Sequence, residues 1–205
     1  MKINSTIKTT FKAFFFVAIL GFNAACNSED PTLENEEELI TDVTLKFTEV
    51  DEAGVALAST FEVTAIDSEG LEVGGSPTIG TINLTAGTRY LVEIELFNSI
   101  ENEDITEEIV EEDDEHQFYF LGSAFVDTPI LTYVYDDADG NGNPIGLRGF
   151  IRVAEAPIVN NAMFRLVLRH DLNKAFNGAN NPNFVDFVNA GGETDLDIMF
   201  PVFVN

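Results

Sequence analysis

The sequence predicts an all-β chain: an antiparallel β-sandwich of immunoglobulin-like character, carrying one or two short helices. Three observations predict it. Apolar and polar residues alternate with period two, turn-forming residues separate the runs, and one run opens with a motif typical of such sandwiches. Alternation of this kind marks a half-buried strand, because successive side chains point to opposite faces of a sheet. Many short strands punctuated by turns favour a sandwich or barrel over alternating βα units.

The strands follow in order. Val43, Leu45 and Phe47 alternate with Thr44, Lys46 and Thr48, and Phe61, Val63 and Ala65 alternate with Glu62 and Thr64. Val92, Ile94 and Leu96 form a third run, Phe164, Leu166 and Leu168 a fourth, and Leu196 to Val204 a closing one. Turns are expected at Asp51–Gly54, Gly74-Gly75 and Asp136–Pro144. The motif is Leu84-Thr-Ala-Gly87-Thr-Arg-Tyr90, which resembles the tyrosine corner of immunoglobulin-like and fibronectin-like strands. In that corner the Tyr hydroxyl bonds back to the turn backbone.

Period two breaks at Asp104–Glu115 (DITEEIVEEDDE). Asp104 and Glu107 fit a helix capping box, and Ile105, Ile109 and Val110 make a narrow apolar stripe. The acids Glu111–Glu115 lie at the wrong end of the helix dipole, so the helix should fray near Glu112 unless a cation or His116 neutralises it. Phe184, Phe187 and Val188 suggest a second short helix before Gly191-Gly192.

The first 25 residues read as a lipoprotein signal. Lys2, Lys8 and Lys12 precede the apolar run Phe14–Phe22, and Asn23-Ala-Ala-Cys26 closes on the chain's sole cysteine. Cleavage before Cys26 and acylation of that residue would anchor the protein in a membrane. Residues 26–38 read as an acidic tether, and 39–205 as one sandwich domain. Glu29 and Asp30, close behind the cysteine, resemble the export signal of surface lipoproteins, and Asn27 replaces the Asp of inner-membrane retention. An outer-membrane lipoprotein facing the cell surface is the expectation.

The net charge of −26 includes the three signal lysines, so a chain cleaved before Cys26 carries −29. Such a surface repels nucleic acid and anionic lipid, and attracts cations. Motifs for nucleophilic, phosphate-transfer and zinc-protease chemistry are missing from the sequence, so a non-enzymatic role is expected.

Two constellations suit cations. His116 and His170 are the sole histidines, each at a predicted strand end beside carboxylates, and the last strand opens with Glu193 and Asp195. If these ends met, imidazoles and carboxylates would form a zinc or copper site. Asp137, Asp139 and Asn141 have the spacing of the first half of a calcium loop, but position twelve is Arg148 where a bidentate Glu is needed. An ordinary long turn uses the same residue types.

Several motifs together resemble a family of small outer-membrane lipoproteins of Gram-negative bacteria. They are Asn35-Glu-Glu-Glu-Leu-Ile-Thr41, Asp104-Ile-Thr-Glu-Glu-Ile109, Asp114-Glu-His-Gln-Phe118, Gly142-Asn-Pro-Ile-Gly-Leu147, Leu168-Arg-His170 with Asn173-Lys174, and Gly191-Gly-Glu-Thr-Asp195. The family carries the label "type 1 periplasmic binding fold superfamily" and is frequently encoded beside TonB-dependent receptors. The label implies βα units, whereas the period-two residues predict a sandwich. Leu172 stands where the family has proline. The resemblance implies a surface protein that captures a scarce nutrient, here a metal or metal complex, for a TonB-dependent receptor. The competing expectation is a structural or adhesive immunoglobulin-like module without a small ligand.

Overall fold

The computed structural model describes residues 38–205 apart from Gly74. The signal, Cys26 and the tether as far as residue 37 lie outside the described residues. Among the described residues, no helix is long and apolar enough to cross a membrane.

Two sheets pack face to face. The larger holds β1 (Asp42–Val50), β2 (Ala56–Ile66), β3 (Thr78–Ile79), β5 (Arg89–Phe97), β7 (Leu131–Tyr135) and β8 (Arg148–Val153), in the order β3-β2-β1-β5-β8-β7. The smaller holds β4 (Ile82–Leu84), β6 (Gln117–Leu121), β9 (Asn161–His170) and β10 (Glu193–Val204), in the order β4-β10-β9-β6. The pairing is antiparallel except where β4 runs parallel to β10. This all-β sandwich is the architecture that the alternation predicts.

The inner faces supply the core. Val43, Leu45 and Phe47 of β1 and Val92, Ile94 and Leu96 of β5 are buried, as are Phe164, Leu166 and Leu168 of β9 and Leu196, Ile198 and Phe200 of β10. Each such side chain contributes roughly 1.5–3 kcal/mol by leaving water. The tyrosine corner forms: the Thr85 amide donates to the Tyr90 hydroxyl at 3.2 Å, and the Tyr90 ring packs edge-on against Phe47 and Phe61. Gly87, at φ +75°, makes the turn between them.

β6 breaks the alternation, since all five of its residues are buried. Phe118 and Phe120 face the sandwich core, while Tyr119 and Leu121 face a second apolar cluster with Val167, Leu172, Ala179 and Phe187. The segment 171–192 thus covers part of the outer face of the smaller sheet. It carries the expected second helix, a single 3-10 turn at Phe187–Ala190, on which Phe187 stacks against Tyr119.

The helix α1 spans Ile105–Glu111 and ends at Glu112, within the acidic run. The Asp104 carboxylate caps it by accepting the Thr106 amide at 3.0 Å. Ile105 and Ile109 are buried, and the Thr106 hydroxyl bonds both the amide and the carbonyl of Leu96, which docks the helix on β5.

Candidate functional site

Three strand ends meet at one end of the smaller sheet. β6 and β9 pair with Gln117 opposite Arg169, so His116 and His170 are the next residues outward on neighbouring strands. Their rings stack at 4.4 Å between centroids, 23° from parallel. Asp195 arrives from β10 through a bulge. Thr194 pairs with Arg169 and Leu196 with Leu168, which leaves Asp195 as the extra residue between them. A bulge re-aims a side chain, and here it turns Asp195 inward, so that its carboxylate lies 3.9 Å from His116 Nε2. Both side chains are fully buried.

A fourth participant is absent from the sequence expectations. Glu38, assigned to the tether by its composition, lies within the folded unit Glu37–Asn205 and places Oε1 3.1 Å from His116 Nε2. The contact has ion-pair distance without hydrogen-bond alignment, and both His116 Nε2 and Glu38 Oε2 are buried with no hydrogen-bond partner. On the other edge of the ring, Nδ1 is 3.2 Å from the Glu112 carbonyl. A carbonyl only accepts, so Nδ1 carries a proton. Nε2 then faces Glu38 and Asp195, as a donor in the protonated ring and as a lone pair once that proton leaves.

Burial alone would push His116 toward neutrality. The contact with Glu38 and its charge, the Glu112 carbonyl and the charge of Asp195 outweigh burial, and the pKa is raised above the ordinary histidine value. His170 Nε2 lies 3.3 Å from Glu115 Oε2.

The arrangement suits a divalent cation. Ligand atoms from Glu38, His116 and Asp195 all lie within 4.8 Å of one another, and so do those from Glu112, His116 and His170. A tetrahedral zinc ion holds nitrogen and oxygen ligands about 2.1 Å away, hence about 3.4 Å from each other. The first set needs only a small contraction to reach that. It is the better candidate, because its atoms are buried and because the Glu112 carbonyl holds the far side of the imidazole, as an outer-shell partner does in metal sites.

Glu193 stands apart from this cluster. Gly191 and Gly192, both at positive φ, bring it in at the rim of the sheet, where it pairs with His170 through the backbone but leaves its side chain exposed. Of the four residues expected to converge, His116 lies beside His170 and Asp195, Glu193 stays at the rim, and Glu38 lies beside His116 instead.

The Asp137–Asn143 loop is engaged differently. Asp139 Oδ1 accepts the amides of Asn141 and Asn143 at 2.8 Å, and Oδ2 faces the Lys174 ammonium at 3.4 Å. Asp137 accepts the amides of Gly146 and Arg148, also at 2.8 Å. Calcium needs oxygens turned toward a common centre, whereas these lone pairs point at N–H donors and Lys174 supplies the cation. Lys174 also donates to the Asp113 carbonyl, so it ties the loop to the acidic run after α1.

The surroundings are strongly acidic. A cleft of about 700 Å³ beside α1 is lined by Asp42, Glu95, Asp104, Glu107 and Glu111 together with Leu96, Phe97 and Val110. Glu108 has its pKa raised to about 7 by burial and by neighbouring Glu103, with smaller contributions from Glu38 and Glu112. Such a field concentrates cations at this end of the molecule.

The fold and site define a β-sandwich with a buried imidazole–carboxylate cluster at one end. No family model matches the chain, and no curated protein or solved structure matches it either.

Proposed function

We propose that the chain is a non-enzymatic binding protein that captures a divalent transition-metal ion at His116 and Asp195, with His170 stacked behind them. It acts as an outer-membrane lipoprotein, anchored by acylated Cys26 and facing the cell surface, and passes its metal to a TonB-dependent receptor. One observation carries the binding role: a buried imidazole nitrogen lies 3.1 Å and 3.9 Å from two carboxylates. The oxygen-rich set suits Zn²⁺ or Cu²⁺ better than Cu⁺, which prefers sulfur ligands. The anchor is supported by the tripartite signal ending at Cys26, and the surface location by Glu29 and Asp30. The receptor partnership rests on the family resemblance.

Calorimetric titration with Zn²⁺ and Cu²⁺ in 0.15 M salt tests the binding role. One ion per chain is expected, with binding abolished in His116→Ala and weakened in His170→Ala. Weak, salt-sensitive binding that is unchanged in both variants would instead favour a structural or adhesive module. For the anchor, Cys26→Ser should leave the outer-membrane fraction.

A further inference from the structure

Glu38 precedes the first strand, yet its side chain is only 9% exposed. The backbone just after it is fixed on both sides. The Ile40 carbonyl accepts the Leu71 amide at 2.9 Å, the Thr41 amide donates to the Phe97 carbonyl at 3.0 Å, and the Thr41 carbonyl accepts the Asp67 amide at 2.9 Å. Ile40 itself is buried in the core. Two residues upstream of this anchorage, the Glu38 carboxylate is delivered onto the Nε2 edge of His116. In sequence it stands twelve residues after Cys26.

We propose that Glu38 is the third protein ligand of the ion held at His116 and Asp195, so that ion capture fastens the segment leading into β1 onto the end of the sandwich. The proposal rests on the metal-binding reading above. Charge supports it: Glu38 and Asp195 bring two carboxylates to the imidazole, with the charge of Arg169 acting on Asp195, and a dication would balance the Glu38 side of the cluster. Coordination also gives Glu38 Oε2 and His116 Nε2, both buried without hydrogen bonds, the partner that buried polar atoms require. Fastening follows from position. The other two ligands belong to β10 and the start of β6, whereas Glu38 belongs to the chain that enters the domain. Residues 38–41 would therefore respond to metal.

The test uses the purified full chain with Zn²⁺ in calorimetry and Co²⁺ in visible absorption. Wild type should bind one ion. Glu38→Gln, which keeps the size and removes the charge, should weaken Zn²⁺ by at least about 100-fold and change the Co²⁺ bands, because losing a ligand costs more than losing an outer-shell partner. Glu38→Asp, with the charge on a shorter arm, should fall between them, and Glu62→Gln on exposed β2 should match wild type. Zn²⁺ should slow amide exchange across residues 38–41 in wild type and fail to do so in Glu38→Gln. Wild-type affinity and Co²⁺ bands in Glu38→Gln, with binding still lost in His116→Ala, would overturn the role of Glu38 and leave the metal site standing. Unchanged exchange at 38–41 on Zn²⁺ binding would overturn the fastening. Absence of binding in wild type would overturn both.

Discussion

At one end of the sandwich, where Val204 of β10 pairs with Leu84, the Tyr90 hydroxyl meets the amide of Thr85. At the other, where β10 begins, the His116 imidazole meets two carboxylates. Each end buries a polar group, but the two solutions differ in kind. The tyrosine corner pairs a neutral hydroxyl with a backbone donor five residues away, and the contact is complete without solvent or ions. The histidine end gathers negative charge in a dry place, which is costly unless a positive partner is present. A proton on His116 supplies part of that charge, the charge of Arg169 acts on Asp195, and a dication would add to both. The first arrangement completes itself within the fold. The second gathers charge that a cation could balance, and this contrast underlies the proposed metal site.

The largest test of this contrast is stabilisation by metal. At a free Zn²⁺ concentration about 1,000 times the dissociation constant, binding should add about 4 kcal/mol to unfolding. Chemical denaturation with and without chelator measures it, and His116→Ala should show no gain. In chelator, the same variant should lose about 3 kcal/mol, since removing the imidazole takes away the group that lies beside both the Glu38 and the Asp195 carboxylates. A metal-free loss near zero would mean that the imidazole does not stabilise those carboxylates.

The pH dependence should separate the two states of that end. Because the folded His116 pKa is raised by Glu38, the Glu112 carbonyl and Asp195 against the effect of burial, the metal-free folded chain holds its proton more tightly than the unfolded chain. Its contribution is therefore fully present below the ordinary histidine value and is lost as pH rises through the folded value. With Zn²⁺ the slope reverses, because the proton must leave for the ion to bind, and affinity rises across the same window. Urea titrations between pH 6 and 9 should give slopes of opposite sign with and without Zn²⁺, and His116→Ala should flatten both.

Much of this was legible in the sequence, and what was hidden has physical reasons. Alternation gave the strands, Asp104 the helix start, the acidic run its end, and Leu84–Tyr90 the corner. Apolar residues on both faces of Gln117–Leu121 signal a doubly covered strand, but the covering segment 171–192 has no period of its own. Asp195 could be placed near the histidines but not aimed, because the bulge that turns it inward adds one residue without a sequence signature. Extending the alternation from Leu196 and Ile198 would have faced it outward. Glu38 was hidden by its company, since it ends an acidic run with the composition of a linker. Only its fixed successors, Ile40 and Thr41, bring it to the site.

The smallest predicted effect concerns the corner. Tyr90→Phe keeps the ring between Phe47 and Phe61 and removes only the hydroxyl that accepts from Thr85. Losing one neutral hydrogen bond and leaving its donor unpaired should cost about 1 kcal/mol. Because that bond involves no charge, the loss should be the same in low and high salt and on either side of the His116 titration. Zn²⁺ affinity should not change, since the corner and the ligand cluster lie at opposite ends of β10. Denaturation and calorimetry on the same variant check both statements. If affinity fell in step with stability, the two ends would be coupled through β10, and the corner would have to be counted as a support of the site.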